Sequence, residues 1–198
     1  MYAFDYEMTE GKVVNVVASL KLSCPLDLNR IQETQKVCSR LRSNALTVKL
    51  ERSPITSRIF KSGNIVLLGG KSEKQVFLLA RRLVRLLRKL GFNDCSISGF
   101  NITNVVASFN MSCELDLNRF ARDNITTSTW DIDIFPGLKY TFGDRKTSKQ
   151  TATIFIQGKL YVAGFTTEKK ALHSLKQLIE ILKHYKKQYV NNNNQTIV

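Results

Sequence analysis

The chain has 198 residues, 43% of them hydrophobic, which is enough to bury a sizeable core as one domain or two small ones. Thirty Lys and Arg residues against 16 Asp and Glu give a net charge of +14, which favours a polyanionic partner such as nucleic acid. No stretch approaches the roughly 20 apolar residues of a membrane span. The 4 cysteines form no CxxC pair and there are only 2 histidines, so we expect reduced thiols in the cytosol or nucleus and no metal or other cofactor.

A sixteen-residue stretch occurs twice in the chain. Residues 15–30, NVVASLKLSCPLDLNR, return at 104–119 as NVVASFNMSCELDLNR, with all but four positions identical at a constant offset of 89. This indicates a tandem duplication, and two copies predict two half-domains related by a pseudo-twofold axis. The expected divisions are a leader (1–12), repeat one (13–100), repeat two (101–190) and an Asn-rich disordered tail (191–198).

Repeat one begins with a predicted strand over 13–22, because apolar residues alternate there. The residues expected on its core face are Val14, Val16, Ala18, Leu20 and Leu22. Asp27 is placed to cap a short helix over 28–38 by accepting hydrogen bonds from the first free amides. A second strand follows over 46–50, where Leu46, Val48 and Leu50 alternate with polar residues.

A hairpin and the strongest helix complete repeat one. Strands over 56–60 and 64–68 are joined by a turn in which Gly63 supplies a positive φ. Ser72 begins the helix, with Gln75 placed to complete a capping box, and Gly91 ends it. Its predicted buried stripe is Val76, Leu79, Ala80, Leu83, Leu87 and Leu90, and its outer face carries Arg81, Arg82, Arg85, Arg88 and Lys89. A last strand near 95–99 runs into repeat two.

Repeat two follows the same order. Because residues 60–63 match 155–158 at an offset of 95, six additional residues are expected in a hairpin around 143–150. The closing helix is predicted over 167–189. Each repeat therefore has the predicted order β-α-β-β-β-α, and the fold class is α+β. The two copies are expected to form one large curved antiparallel sheet whose helices cover a single face.

The opposite face of this sheet would then have no element to cover it, and we call it the uncovered face. By strand parity it collects Asn15, Val17, Arg58, Phe60, Val66, Leu68, Asn104, Val106, Thr153, Phe155, Tyr161 and Ala163. A large exposed apolar patch marks a binding site. For any single valine or phenylalanine, ordinary core packing remains the alternative, but the matched pairs in the two copies favour binding.

Asn15 and Asn104 are the most informative pair on this face. An amide can donate hydrogen bonds to the acceptors that A·T base pairs present in the DNA minor groove, N3 and O2. Apolar residues suit a widened minor groove, and phenylalanines suit wedging between base steps. The alternative is that both asparagines are structural residues satisfied within the fold.

Four motifs resemble the conserved core of the TATA-box-binding protein family: NVV followed by CxLDL in both repeats, IFKSG to GGKS at 59–72, the RRLVRLLRKLGF helix end, and FPGLKY at 135–140. The resemblance covers residues 13 to 187. The resemblance implies a nuclear protein shaped like a saddle, whose concave sheet lies on the minor groove of A·T-rich double-stranded DNA and bends the DNA. Minor-groove kinking is established for this family. The implied DNA-binding residues are Asn15, Val17, Arg58, Phe60, Ser62, Val66, Leu68, Asn104, Val106, Phe135, Thr153, Phe155, Tyr161 and Ala163.

The sequence departs from the family pattern at several of these positions. Phe60, Phe135 and Phe155 match three of four intercalating phenylalanines, whereas the fourth is expected at Asn44 or Ala45, neither of which can wedge a base step. Larger or different side chains stand at Leu68, Tyr161 and Ala163, and Arg58 and Thr153 occupy positions where the family usually has leucine.

Two outer surfaces match the family's partner-binding regions. Asp131, Asp133 and Ile134 resemble the acidic stirrup that contacts general transcription factor IIB, although isoleucine has replaced the family's proline at 132. The basic residues Arg81, Arg82 and Arg85 resemble the helix used by factor IIA, and a solvated helix face is the alternative. A homodimer is a further state open to the protein when it is free of DNA.

The sequence and its resemblance leave three functions open. The first is a general initiation factor that binds and bends TATA-box DNA; the second is a paralogue that has lost TATA specificity and acts by holding factors IIA and IIB. An enzyme is the third, because a similar sheet occurs fused to some DNA-repair enzymes. We expect no catalytic activity, since the sequence has no Ser/His/Asp set, and Gly69–Ser72 fails as a phosphate-binding loop because Ile65 stands where that motif needs glycine.

Overall fold

A computed structural model describes residues 11–33, 38–42, 44–50 and 52–187, with only the backbone described for 38–42. It has one open, curved antiparallel sheet of ten strands with helices. The strands of repeat one are β1 (Lys12–Leu22), β2 (Cys38–Arg42), β3 (Ala45–Lys49), β4 (Thr56–Phe60) and β5 (Asn64–Gly70), and its helices are α1 (Leu28–Gln32) and α2 (Glu73–Lys89). Repeat two contributes β6 (Ile97–Asn110), α3 (Leu117–Asp123), β7 (Ser128–Thr129), β8 (Leu138–Thr141), β9 (Thr151–Ile154), β10 (Lys159–Phe165) and α4 (Glu168–Leu182), followed by a 3₁₀ turn (Lys183–Tyr185).

The duplication predicted from the sequence gives the sheet its symmetry. The strand order is β2-β3-β4-β5-β1-β6-β10-β9-β8-β7, so each half reads outward in the same way from β1 and β6 at the centre. In the β1–β6 ladder Asn15 is opposite Val106, and Val17 is opposite Asn104. The central asparagine of each copy therefore faces the central valine of the other, as a twofold axis between the strands requires.

One face of the sheet and one side of each helix form a single core. Strand residues such as Val16, Ala18, Ile59 and Ile154 are 1% exposed or less, because the helices cover that face. The helices contribute the buried residues Leu28, Ile31, Val76, Leu79, Ala80, Leu83, Val84, Leu87, Leu117, Phe120, Ala171, Leu175, Leu178, Ile179 and Leu182. The expected architecture, with helices on a single face, is confirmed.

The N-termini of the two long helices are capped twice. Ser72 and Thr167, at the same position in the two repeats, accept backbone hydrogen bonds from Gln75 and Lys170 over 3.1 and 3.3 Å. In addition, the Glu168 backbone N–H donates to the Glu73 carboxylate at 2.6 Å, and the Glu73 N–H donates to the Glu168 carboxylate. Each helix thus supplies an acid to the N-terminus of the other, where the macrodipole favours negative charge.

Two irregularities in β1 and β6 correct the predicted strand parity. The β1–β6 register shifts between Val13 and Asn15, and again opposite Val17 and Ala18. Val14 is the additional residue in β1, and Thr103, at the same offset of 89, is the additional residue in β6. As a result Val13, rather than the predicted Val14, packs against the core.

The predicted helix over 28–38 and the predicted strand count are wrong. Helix α1 ends at Gln32, and Cys38–Arg42 pairs with β3 as an edge strand. Repeat two has the corresponding short strand β7, so each repeat contains four strands after its first helix-forming segment rather than three. Strand pairing with β3 overrides the local helical pattern.

Several helix boundaries also differ from prediction. Helix α4 ends at Leu182 and continues only as a 3₁₀ turn, short of the predicted residue 189, which with the Asn-rich tail and most of the leader lies outside the described residues. In α2 the Gln75 side chain accepts from the Lys71 N–H at 2.8 Å, one residue before the position of a regular capping box. Leu90 is half-buried, whereas Gly91 has the expected positive φ of 90°.

The cysteines whose side chains are described are free thiols. Cys95 is fully buried, and Cys24 and Cys113 are half-buried. Burial, with a contribution from the neighbouring Cys24 thiol, raises the pKa of Cys95 to about 11, which keeps this thiol protonated at neutral pH. None of the helices in the described ranges is long and apolar enough to cross a membrane.

Candidate nucleic-acid interface

All twelve residues predicted for the uncovered face are solvent-accessible. Arg58 and Leu68 are exposed, and the other ten are half-buried, which contrasts with their fully buried neighbours along the same strands. The parity argument therefore placed them on the face opposite the helices, as predicted. Their only charged member is Arg58, so these twelve residues expose apolar surface, amide groups and no carboxylate.

At the centre of this face, each asparagine is fixed by a glycine on the neighbouring strand. The Gly69 backbone N–H donates to Asn15 Oδ1 at 3.1 Å, and the Gly164 N–H donates to Asn104 Oδ1 at 2.8 Å. Both glycines lie at bulges, where the pairing of β5 with β1 and of β10 with β6 shifts, and both have positive φ, 96° and 89°. The bulge frees an N–H from the sheet ladder, and the asparagine satisfies it.

This arrangement decides which atoms of the amide remain for a ligand. Because each Oδ1 faces a backbone donor, the Nδ2 group of each amide is left as the outward donor. The structural role and the binding role of these residues are therefore compatible. The Oδ1 atoms of Asn15 and Asn104 accept hydrogen bonds within the fold, and each Nδ2 group keeps two N–H donors for a ligand. A surface of donors suits acceptors such as the N3 and O2 atoms of the minor groove.

The repeat-two end of the face is an aromatic row. The rings of Phe135 and Phe155 are 5.9 Å apart at 67°, and those of Phe155 and Tyr161 are 6.3 Å apart at 84°. Gly137 makes the first contact possible, because a Cβ there would lie 2.6 Å from Phe135 Cε1 and 2.7 Å from Thr153 Cγ2. Phe135 is nevertheless 51% exposed, as a wedge between base steps requires.

The loop before Phe135 is held by one carboxylate. Asp131 Oδ1 accepts from the Asp133 and Ile134 N–H groups at 3.1 and 3.4 Å, and the Asp131 carbonyl accepts from the Phe135 N–H at 2.9 Å. Asp131 therefore orients the segment that presents Phe135. Asp133 and Ile134 are exposed, and Ile134 is 83% accessible.

The repeat-one end is built differently. Phe60 has one cation above its ring, the Arg58 guanidinium at 5.6 Å, and Ala45 opposite it on β3. The strand register also corrects the expected site of the fourth phenylalanine. Leu46 faces Ile59 as Leu138 faces Ile154, so Ala45 matches Gly137 and the residue matching Phe135 is Ser43, rather than Asn44 or Ala45. Residue 43 lies outside the described residues, and serine cannot wedge a base step.

The remaining predicted residues lie at the edge of the sheet or on the helices. Ser62 is exposed in the turn between β4 and β5, where its hydroxyl accepts from the Asn64 N–H at 3.4 Å. Arg81, Arg82 and Arg85 are all exposed on α2. Arg88, a further member of the predicted basic face, donates through Nε to the Cys95 carbonyl at 2.7 Å.

Sequence reasoning did not find the residues that orient this site. Gly69 and Gly164 share the offset of 95 that relates 60–63 to 155–158, which is the available signal, but their role depends on the bulges. Gly137 and the cation Lys139, which is opposite Thr153 on β8, were likewise not singled out. For Lys139 the sequence signal is that threonine and cation change places between the repeats: Thr47 pairs with Arg58 in repeat one, and Lys139 pairs with Thr153 in repeat two.

These observations define a class of protein: a duplicated single-sheet protein whose uncovered face carries outward amide donors and, among its twelve predicted residues, no carboxylate. The sequence profile of the family described as transcription factor TFIID, or TATA-binding protein (TBP), matches residues 10–90 and 99–185. The chain therefore belongs to the TBP family, a family of DNA-binding transcription factors.

Individual relatives agree with this assignment. The chain is 30% identical over 175 residues to the TATA-box-binding protein of Schizosaccharomyces pombe, covering 87% of this chain and 74% of the relative. It is also 30% identical over 176 residues to the TATA box-binding protein-like 2 of Danio rerio, covering 88% of this chain and 55% of the relative. The solved structure of Methanococcus jannaschii TBP superposes with a TM-score of 0.72 at 25% identity, over 88% of this chain and 99% of that one.

Proposed function

We propose that this protein is a nuclear transcription initiation factor that binds A·T-rich promoter DNA through the minor groove, bends it and recruits general transcription factors. The observation that carries the proposal is the pair of asparagines at the centre of the uncovered face. Their oxygens are occupied by Gly69 and Gly164, so they offer donors only. A·T pairs expose only acceptors in the minor groove, whereas G·C pairs add the guanine N2 donor. Donors at the centre therefore favour A·T.

Bending follows from the aromatic residues at the two ends. Phe135 and Phe155 act as a double wedge under repeat two, and Phe60 acts as a single wedge under repeat one. Deforming a site of this size costs about 1–6 kcal/mol by elastic estimates, and burial of the apolar face together with counterion release offsets that cost. Because a net charge of +14 also neutralises phosphates, the affinity falls as salt rises.

Recruitment would use surfaces away from the DNA. The exposed residues Asp133 and Ile134, presented by the loop that Asp131 orders, are the proposed contact for factor IIB. The exposed cations Arg81, Arg82 and Arg85 on α2 are the proposed contact for factor IIA. Reversal of charge at α2 is expected to weaken IIA association without changing the affinity for DNA alone.

A second function, a paralogue that holds general factors without reading TATA elements, has one observation in its favour. Repeat one has Ala45 and a serine at 43 where repeat two has Gly137 and Phe135, so one end lacks a paired wedge. The similar identity to a TATA-box-binding protein and to a protein of the TBP-like type does not separate the two functions.

A measurement of DNA bending by fluorescence resonance energy transfer distinguishes the initiation factor from the factor-holding paralogue. An end-labelled duplex carrying a TATA element, and a G·C-rich duplex of equal length, are titrated with the full chain. The proposed function predicts a shortened end-to-end distance and tighter binding only for the A·T duplex. Phe155→Ala should abolish most of the bend, whereas Phe77→Ala, an aromatic on α2, is the matched control. Equal affinity for both duplexes would move the assignment to the factor-holding paralogue, and an unchanged bend in Phe155→Ala would refute the wedge.

A further inference from the structure

The two ends of the uncovered face differ in where they place a positive charge. In repeat one, Arg58 on β4 is opposite Thr47 on β3. In repeat two the pair is exchanged, with Thr153 on β9 opposite Lys139 on β8. Within this exchanged pair, the cation lies on the third strand from the centre in repeat one and on the fourth in repeat two, one strand spacing of about 4.8 Å further out.

Arg58 lies one strand closer to the centre of the sheet than Lys139 does. It is exposed, its guanidinium lies over the Phe60 ring at 5.6 Å, and it has no carboxylate within ion-pair distance in the described part of the chain. This cation–π contact holds the guanidinium beside Phe60, the residue that would enter the base stack. Lys139, one strand further out, is placed closer to where the phosphate backbone would run.

Arg58 and Thr153, which lie on the third strand from the centre in each half, also differ in the hydrogen bonds that they can form. A guanidinium has five N–H donors and no acceptor, whereas the Thr153 hydroxyl can donate or accept. Facing an A·T pair, both side chains find acceptors. Facing a G·C pair, the guanidinium meets the guanine N2 donor, which it cannot accept, while the threonine can turn its lone pairs towards it.

We propose that Arg58 makes the requirement for A·T pairs stricter under repeat one than under repeat two, so that the protein binds an asymmetric site in one orientation. The inference rests on the proposed function and names a determinant of its sequence preference. A site with one G·C pair near one end is then bound with repeat two over that pair. The discrimination between orientations is about tenfold, within the range of a single mismatched pair.

The test reads orientation directly. An acceptor dye is attached enzymatically at the C terminus of the full chain, which follows repeat two, and a donor dye is placed at one or the other end of an A·T duplex bearing a single G·C pair near one end. For the wild type, energy transfer should be strong when the donor is at the G·C end and weak when it is at the other. Arg58→Thr, which copies the repeat-two residue, should bring the two orientations to within about twofold.

Two further variants make the test specific. The exchange Arg58→Thr with Thr153→Arg moves the guanidinium to the other half and should reverse the orientation. Lys139→Thr removes one charge from the outer strand and should lower the affinity and the salt slope, by about 1, without changing the orientation. Thermal unfolding of each variant checks that the fold is retained.

The outcomes distinguish this inference from the proposed function. Loss of A·T preference in the wild type would refute both. Binding and bending of A·T DNA with equal orientations in the wild type, or an orientation preference that persists in Arg58→Thr, would overturn the inference and leave the proposed function intact.

Discussion

Asn104→Asp separates recognition of DNA from stability of the fold. The substitution is nearly isosteric, and its carboxylate can still accept the Gly164 N–H, which Asn104 Oδ1 accepts at 2.8 Å. It removes the outward Nδ2 donors and places an acceptor against the minor-groove acceptors. An unsatisfied polar group costs about 1–3 kcal/mol, so the Kd for an A·T duplex should rise about 5- to 150-fold.

Asn104→Ala is the matched comparison, because it removes both functions of the side chain. The Gly164 N–H then loses its partner in a half-buried bulge, which should lower the free energy of unfolding by about 1–3 kcal/mol. For a chain of this length the melting temperature should fall by about 2–4 °C per kcal/mol. Asn104→Asp should melt close to the wild type, whereas both variants should bind DNA weakly.

The assays are fluorescence anisotropy with a labelled A·T duplex at fixed salt and thermal unfolding in the same buffer. Wild-type affinity in Asn104→Asp would refute the claim that Nδ2 faces the groove. Equal destabilisation in the two variants would refute the role assigned to the Gly164 hydrogen bond. The equivalent substitutions at Asn15, whose Oδ1 accepts from the Gly69 N–H over 3.1 Å, should weaken DNA binding in the same way. Their cost in stability should be smaller, because Gly69 is exposed and water can satisfy its N–H.

Other predictions concern the fold around the site. Glu73→Ala should lower the free energy of unfolding by about 1 kcal/mol, because the Glu168 N–H loses its cap, and it should leave DNA affinity unchanged; an unaltered urea midpoint would contradict the reciprocal capping. Gly137→Ala should reduce DNA bending, because its Cβ would lie 2.6 Å from Phe135 Cε1 and displace that ring; a wild-type bend angle would show that the ring contact is dispensable. The folded state raises the pKa of Cys95 from 9.0 to about 11, so the stability that its protonated thiol contributes should be fully present below pH 9.0 and should be lost as the pH rises towards about 11. If a Cys95→Ala variant loses the same stability at alkaline pH, other groups cause the loss.

The period-two alternation of the strands was enough to predict the uncovered face. Side chains on a strand alternate between faces, so the duplicated apolar pattern alone separates Val16 and Ala18 from Asn15 and Val17. The same argument misplaced Val14, because a bulge shifts the parity and leaves no mark in a run of valines.

Features that depend on contacts distant in the chain were not predictable. The bond from Gly164 to Asn104 joins residues 60 positions apart, and no local propensity encodes it. The edge strands β2 and β7 are short and lack alternation, so only their pairing with β3 and β8 makes them strands. The position matching Phe135 also needed the strand register, which moved it to 43.

The central claim is that the donors of the uncovered face read the minor groove. Replacing A·T pairs of the element with inosine·cytosine pairs tests it most directly, because this pair has the major-groove groups of G·C but lacks the guanine N2 amino group in the minor groove. The inosine duplex should be bound nearly as tightly as the A·T duplex, and the G·C duplex should be bound weakly. Equally weak binding of the inosine and G·C duplexes would contradict minor-groove reading by Asn15 and Asn104.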